Sequence, residues 1–142
     1  MTARDNSSTR SPFERPTRVL LVDDSTEMLA IARAALTPVC EIVGTATDGQ
    51  SALAEADALR PDVIVLDISM PGMSGFELAA ALRTQRSTAA IVFLTIHDDG
   101  QIVDAAMQAG GTGYVVKRRL SSDLLEAVQD ARTGRTFVSP RC

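Results

Sequence analysis

Thiols and imidazoles are scarce in this chain. Of 142 residues only Cys40 and Cys142 are cysteines, and His97 is the sole histidine. Two cysteines so placed form neither a metal-ligand spacing nor a Cys-x-x-Cys redox motif. A single histidine cannot build a histidine metal site, and His97 is expected in an exposed loop. Long apolar runs are missing too: no stretch approaches the ~20 residues that span a bilayer. The first 17 residues lack the apolar core of a signal peptide, so a cytoplasmic location is expected. Basic charge is in deficit, with 14 Lys and Arg against 18 Asp and Glu, a net charge of -4 and a pI near 4.9. That balance argues against a broad surface for nucleic acid or anionic membrane. The run Lys117-Arg118-Arg119 is the one local basic candidate, and after Lys117 it reads as a solvated charge run. No internal repeat is present. Gly110-Gly111-Thr112-Gly113 precedes an apolar run instead of following one, so it is no dinucleotide loop.

What remains is ordinary globular material, with 45% hydrophobic and 23% charged residues. The length fits about one domain, large enough to bury a core without disulfide or metal staples. Residues 1–17 are polar, carry Pro12 and Pro16, and are expected to form a disordered leader. A folded domain over 18–133 and a tail over 134–142 complete the expected organisation. Short apolar runs at 18–22, 41–46, 62–66, 91–95 and 113–116 are rich in Val, Ile and Leu and read as strands. Their apolarity is continuous, which is the mark of strands covered on both faces. Helix-spaced apolar residues lie between them. Met28, Ile31, Ala32, Ala35 and Leu36 share one face; so do Phe76, Leu78, Ala79 and Leu82; Ile102, Ala106 and Ala109; and Leu124, Leu125, Val128 and Ala131. Pro38 ends the first helix, Ser121 or Ser122 is placed to cap the fifth, and Gly134 marks its end. Five strands alternating with five helices predict an α/β fold, a doubly wound five-stranded parallel sheet with helices on both faces. The segment from Thr133 to Pro140 is expected to leave that fold.

Two of the predicted strands end in acid. Val19-Leu20-Leu21-Val22 delivers Asp23 and Asp24, and Val63-Ile64-Val65-Leu66 delivers Asp67. A further run ends in Thr95 and another leads to Lys117. Open parallel sheets bind ligands outside the carboxyl ends of their strands, so these side chains can converge. Three carboxylates crowded together repel, by roughly 3 kcal/mol per pair at 5 Å and an effective dielectric of 20. A hard divalent cation held by oxygens offsets that repulsion, and Mg2+ suits a site of few carboxylates plus phosphate and water. Lys117 would add a fixed positive charge. A carboxylate can also act as a nucleophile and carry a phosphoryl group. Catalysis of such a transfer is mostly positioning and electrostatic stabilisation. Gly72 and Gly75 let the loop after Asp67 turn sharply beside the acid.

Asp23-Asp24, Asp67 with Met70-Pro71-Gly72-Met73-Ser74-Gly75, Thr95 and Lys117 together resemble the receiver domain of bacterial two-component response regulators. The resemblance covers residues 18–133. It implies a flavodoxin-like receiver fold and Asp67 as the phosphoacceptor. It further implies Mg2+ bound by Asp24, Asp67 and the Ser69 carbonyl, with Asp23 holding metal-bound water. Thr95 and Lys117 would contact the phosphoryl group, and Tyr114, the sole tyrosine, would turn inward when Thr95 moves. From the residues alone, Tyr114 reads as half-buried packing on an outer strand. Leu94-Thr95-Ile96-His97-Asp98-Asp99 and Gly134-Arg135-Thr136-Phe137-Val138-Ser139-Pro140 look like the subfamily whose receivers precede a LuxR-type helix-turn-helix. That module has no counterpart in these 142 residues, so DNA binding by this chain alone is not expected. The implied partners are a sensor histidine kinase or phosphotransfer protein, with homodimerisation as a further option. The partner surface would be the fourth helix, fifth strand and fifth helix, or the first and fifth helices.

Two positions depart from the family pattern. Arg118 follows the lysine where the family often has proline after a cis bond. Ile96 stands where many members have a small residue, and it is expected to narrow the pocket entrance, lined also by Ser69 and His97. Other classes fit less well. A haloacid-dehalogenase type phosphatase places an Asp-x-Asp motif at its first strand, whereas this chain has Asp67-Ile68-Ser69 at its third. A phosphorylation-independent scaffold with the receiver fold would have no need of the complete set of pocket residues.

Overall fold

Alternation along the buried strands decides the architecture. In a strand, successive side chains point to opposite faces. Leu20, Val22, Ile64, Leu66, Ile91, Phe93, Tyr114 and Val116 pack on one face of the sheet, and Val19, Leu21, Val63, Val65, Val92, Leu94 and Val115 on the other. Both sets are apolar, so both faces need helical cover. The computed structural model describes residues 15–96 and 100–139. Residues 1–14 of the expected leader, His97 and Cys142 lie outside the described residues. Thr17, the leader's last residue, is buried and its carbonyl accepts from Glu41 N–H at 2.8 Å, and Cys40 is a buried free thiol.

The strands are β1 (Arg18–Val22), β2 (Glu41–Ala46), β3 (Val63–Asp67), β4 (Ala90–Thr95), β5 (Gly113–Val116) and β6 (Phe137–Val138). The helices are α1 (Thr26–Leu36), α2 (Gly49–Leu59), α3 (Gly75–Thr84), α4 (Gly100–Gln108) and α5 (Leu120–Arg132). All strand pairs are parallel, in the order β2-β1-β3-β4-β5-β6. The winding reverses between β1 and β3, which leaves a crevice at their carboxyl ends. Helices α1 and α5 cover one face through Leu29, Ala32, Leu36, Leu120, Leu124, Ala127, Val128 and Ala131. Helices α2, α3 and α4 cover the other through Ala52, Ala56, Leu78, Ala79, Leu82 and Ala106. Phe76 meets Phe93 edge to face, with ring centroids 5.3 Å apart, which ties α3 to β4.

Several local expectations need correction. The buried stripe of α1 runs through Leu29, Ala32 and Leu36, and Ile31 is 40% exposed. Helix α5 starts before Ser121: a single 3-10 turn over Lys117–Arg119 runs straight into Leu120. Ser122 therefore lies inside the helix, where its Oγ donates to the Arg119 carbonyl at 3.1 Å instead of capping. The peptide bond between Lys117 and Arg118 is trans.

The larger difference is at the tail. Residues 134–139 turn back at Gly134 (φ 82°), and Phe137–Val138 add a sixth parallel strand beside β5. Phe137 N–H donates to the Thr112 carbonyl at 3.1 Å, and Ser139 N–H to the Tyr114 carbonyl at 2.9 Å. The tail thus stays on the fold. Strand β5 is interior to the sheet, and Tyr114 is wholly buried where half-burial on an outer strand was expected.

Candidate functional site

Strand register gathers the acids. Val22 pairs with Leu66, Asp67 with Leu94, and Thr95 with Val116, so Asp23, Asp67, Thr95 and Lys117 emerge side by side at one sheet end. Asp23, Asp67 and Thr95 are buried and Asp24 is exposed. One oxygen from each of Asp23, Asp24 and Asp67 lies within 4.8 Å of the others. The Lys117 ammonium sits 3.1 Å from Asp23 Oδ2 and 3.3 Å from Asp67 Oδ1, bridging the two buried acids. Thr95 and Lys117 flank Asp67 from β4 and from the turn after β5.

Backbone donors fix the acids. Ser25 N–H donates to Asp23 Oδ1 at 2.9 Å, and Ser69 N–H to Asp67 Oδ1 at 3.2 Å. Ser25 also accepts from Met28 N–H as the N-cap of α1, so one residue orients the acid and starts the helix. Ser25 was not singled out from sequence, although serine between an acidic pair and a helical pattern is an N-cap signal. Beyond Asp67 the chain turns through Gly72 (φ 84°) into α3, which opens with a capping box of Ser74 and Glu77. Gly75 packs against the acid's own backbone. A Cβ there would stand 2.5 Å from the Asp67 carbonyl oxygen and 2.8 Å from Ile68 Cα.

Three carboxylates against one ammonium leave the site short of positive charge. Burial, with the neighbouring Asp23 charge behind it, pushes the Asp67 carboxyl up to about 6, and Lys117 and the Ser69 N–H only partly oppose the rise. Burial depresses Lys117, but the Asp67 and Asp23 charges outweigh it and hold the lysine above its ordinary value. Asp23 Oδ2 is buried and, among the described residues, has the ion pair with Lys117 but no hydrogen bond of good geometry. The arrangement is an anionic pocket with a buried carboxylate at its floor and room in its charge balance for a cation.

The other predicted residues fall as follows. Ser69 is exposed at the mouth. Ile96, expected to narrow the entrance, is 70% exposed, and its neighbour His97 lies outside the described residues. Tyr114, on β5, is in register with Phe93 of β4 and packs into the same core cluster. Arg118 points outward and Arg119 pairs with Asp123, away from the acids.

The profile of the response regulator receiver domain matches residues 19–129. The nitrate/nitrite response regulator NarP of Escherichia coli is 39% identical over 132 residues, covering 92% of this chain and 61% of that protein. A probable transcriptional regulatory protein NarL of Mycobacterium tuberculosis is 35% identical over the same length and share. The chain thus spans about three-fifths of these relatives. The solved signal receiver domain of the M. tuberculosis NarL superposes with a TM-score of 0.80 at 34% identity, over 85% of this chain and 99% of that one. Among the described residues, no helix is long and apolar enough to cross a membrane. Fold, profile and relatives agree, and the chain belongs to the response regulator receiver domain family.

Proposed function

We propose that Asp67 is the phosphoacceptor of a two-component signalling pathway, taking its phosphoryl group from a histidine kinase or a phosphotransfer protein. The observation that carries this reading is the contact of Asp67 with Lys117 at 3.3 Å inside a buried cluster of three acids. An Asp67 carboxylate oxygen attacks phosphorus and the bond from phosphorus to the donor atom breaks. The product is a mixed anhydride on Asp67, and the leaving group departs with the electron pair of the broken bond and is protonated from solvent. Lys117 holds Asp67 in place and counters charge on the transferred group. Thr95, one strand over, offers its hydroxyl to a phosphoryl oxygen. Burial keeps bulk water from the anhydride, so the lifetime of the adduct is set by the pocket.

Mg2+ fits the donor set. The carboxylates lie within mutual ligating reach, Asp24 is open to solvent, and among the described residues the buried Asp23 Oδ2 is met only by the Lys117 ammonium. Asp24, Asp67 and the Ser69 carbonyl would hold the ion, with Asp23 beside them. When bound it neutralises the acids and the incoming phosphoryl oxygens. Signalling then follows from differential affinity, since a ligand shifts only an equilibrium between states it binds unequally. Because Tyr114 is already inside, the switch at the α4–β5–α5 surface is driven by Thr95, with Tyr114 repacking in place of an inward turn. The relatives include proteins named as transcriptional regulators and are longer than this chain. The state of the receiver is read on that reading by an output partner, in the same or another polypeptide, or by a second copy of the chain. Incubation with acetyl phosphate and Mg2+ is expected to add the mass of one phosphoryl group. Formation in chelator, or in Asp67→Asn, would reject the assignment.

A further inference from the structure

The tail strand ends in a buried polar cluster that the site chemistry does not use. Ser139 is 2% exposed and Asp123 is 5% exposed. Ser139 Oγ donates to Asp123 Oδ2 at 2.8 Å and accepts from Val116 N–H at 3.1 Å. Arg119 grips the same carboxylate with two nitrogens, Nε to Oδ2 at 2.8 Å and the terminal nitrogen to Oδ1 at 3.3 Å. Ser122 Oγ adds a contact to Oδ1 at 3.1 Å. Burial raises the Asp123 carboxyl, but the donors from Arg119, Ser139 and Ser122 outweigh it and leave it below its usual range. The cluster is therefore a satisfied, ionised anchor.

Its position is what gives it a role. Val116 is the last residue of β5 and precedes the 3-10 turn that begins with Lys117 and ends with Arg119. The Ser139 hydroxyl holds the backbone on the amino side of Lys117, and Asp123 holds Arg119 on the carboxyl side. The turn has no side-chain cap of its own, and the bond after Lys117 is an ordinary trans peptide.

We propose that Ser139, through Asp123 and Arg119, is a positioning residue for Lys117, so that docking of the tail strand sets the reactivity of the acid pocket. This rests on the phosphoacceptor reading of Asp67 for its kinetic consequence only. The placement of Lys117 is measurable without any phosphoryl transfer. A misplacement of about 1 Å in a site that works by positioning has large kinetic effects.

The test uses the full 142-residue chain. Ser139→Ala is expected to shift the Lys117 side-chain NMR resonances, with the Asp24 resonances unmoved. With acetyl phosphate it is expected to slow adduct formation about five- to tenfold, the range spanned by one lost buried hydrogen bond. The Mg2+ dissociation constant is expected to stay within twofold, because the acids stand on β1 and β3. Unmoved Lys117 resonances in a folded Ser139→Ala overturn the proposal, as does a parallel loss of Mg2+ affinity and rate. Should Ser139→Ala not fold, Arg119→Gln at the half-exposed end of the cluster decides by the same two readouts, slower reaction supporting and unchanged reaction overturning. A wild-type chain that takes up no phosphoryl group contradicts the reading of Asp67, while the resonance shift still decides the positioning of Lys117.

Discussion

At the scale of the residue, Asp67 is held in a state that costs stability. Its carboxyl titrates near 6 in the folded chain, against an ordinary value of 3.8. The folded state therefore binds that proton more tightly than the unfolded chain does. The resulting stabilisation is present below pH ~4 and is lost as pH rises through about 6, by about 3 kcal/mol in the metal-free protein. Asp23, Asp24 and Lys117 are the charged groups around it. Asp67→Asn removes the penalty. In metal-free buffer the variant is expected to exceed wild type by about 1–3 kcal/mol at pH 7 and to match it near pH 4. Urea denaturation across that range checks this, and a difference independent of pH would refute it. If Asp67 accepts the phosphoryl group as proposed, it does so ionised, so adduct formation in wild type is expected to fall off as the pH drops. Ile96, extended into solvent, is expected to matter little: Ile96→Ala should change stability by no more than about 0.5 kcal/mol.

At the scale of the element, the glycine in the loop after Asp67 and the one that opens α3 do different work. Gly75 has no room for a Cβ, because the nearest atoms are the backbone of Asp67 and Ile68. Gly72 has open space around it but a φ of 84°. Gly75→Ala is expected to cost about 1–3 kcal/mol and to slow adduct formation, since the strain falls on Asp67 itself. Gly72→Ala is expected to cost about 1 kcal/mol from the backbone alone and to leave Mg2+ binding near wild type. Paired melting and Mg2+ titrations separate the two. Equal effects on the site would contradict the local account.

The elements also show what the sequence made legible. Strands β1, β3, β4 and β5 could be read because each is an apolar run buried on both faces, whereas β2 is a largely half-exposed edge strand with Glu41, Gly44 and Thr45 in it. The acids, Thr95 and Lys117 could be read because strand ends in a parallel sheet face one crevice. Strand β6 could not: two residues, Phe137 and Val138, between polar neighbours carry no periodicity. The start of α5 was hidden because Lys117-Arg118-Arg119 looks like a solvated run, although Arg119 and Asp123 stand four apart, the spacing of an ion pair along one helix face. Ser139 and Asp123 lie 16 residues apart and share no local signal. Ile31 fits a helical face by spacing, yet the face that packs is set by Leu29 and Leu36, whose rows meet the sheet and α5.

At the scale of the whole molecule, the reversal of winding between β1 and β3 places Asp23 and Asp67 on adjacent strands. It leaves a local anionic charge that a divalent cation relieves. Mg2+ is accordingly expected to raise the thermal midpoint in proportion to the logarithm of its concentration above the dissociation constant. Asp24→Ala is expected to abolish that rise while remaining folded, since it deletes one of three mutually repelling charges and is solvent-exposed. A midpoint that rises equally in wild type and Asp24→Ala would place the ion elsewhere.

The central claim concerns which carboxylate accepts the phosphoryl group, and borohydride trapping tests it most directly. The reaction mixture with acetyl phosphate and Mg2+ is reduced, which converts a phosphorylated aspartate to homoserine, and the chain is then digested and sequenced by mass spectrometry. Homoserine at position 67, with Asp23 and Asp24 intact, is the predicted result. Homoserine at 23 or 24, or none anywhere while the chain still gains the phosphoryl mass, would contradict it.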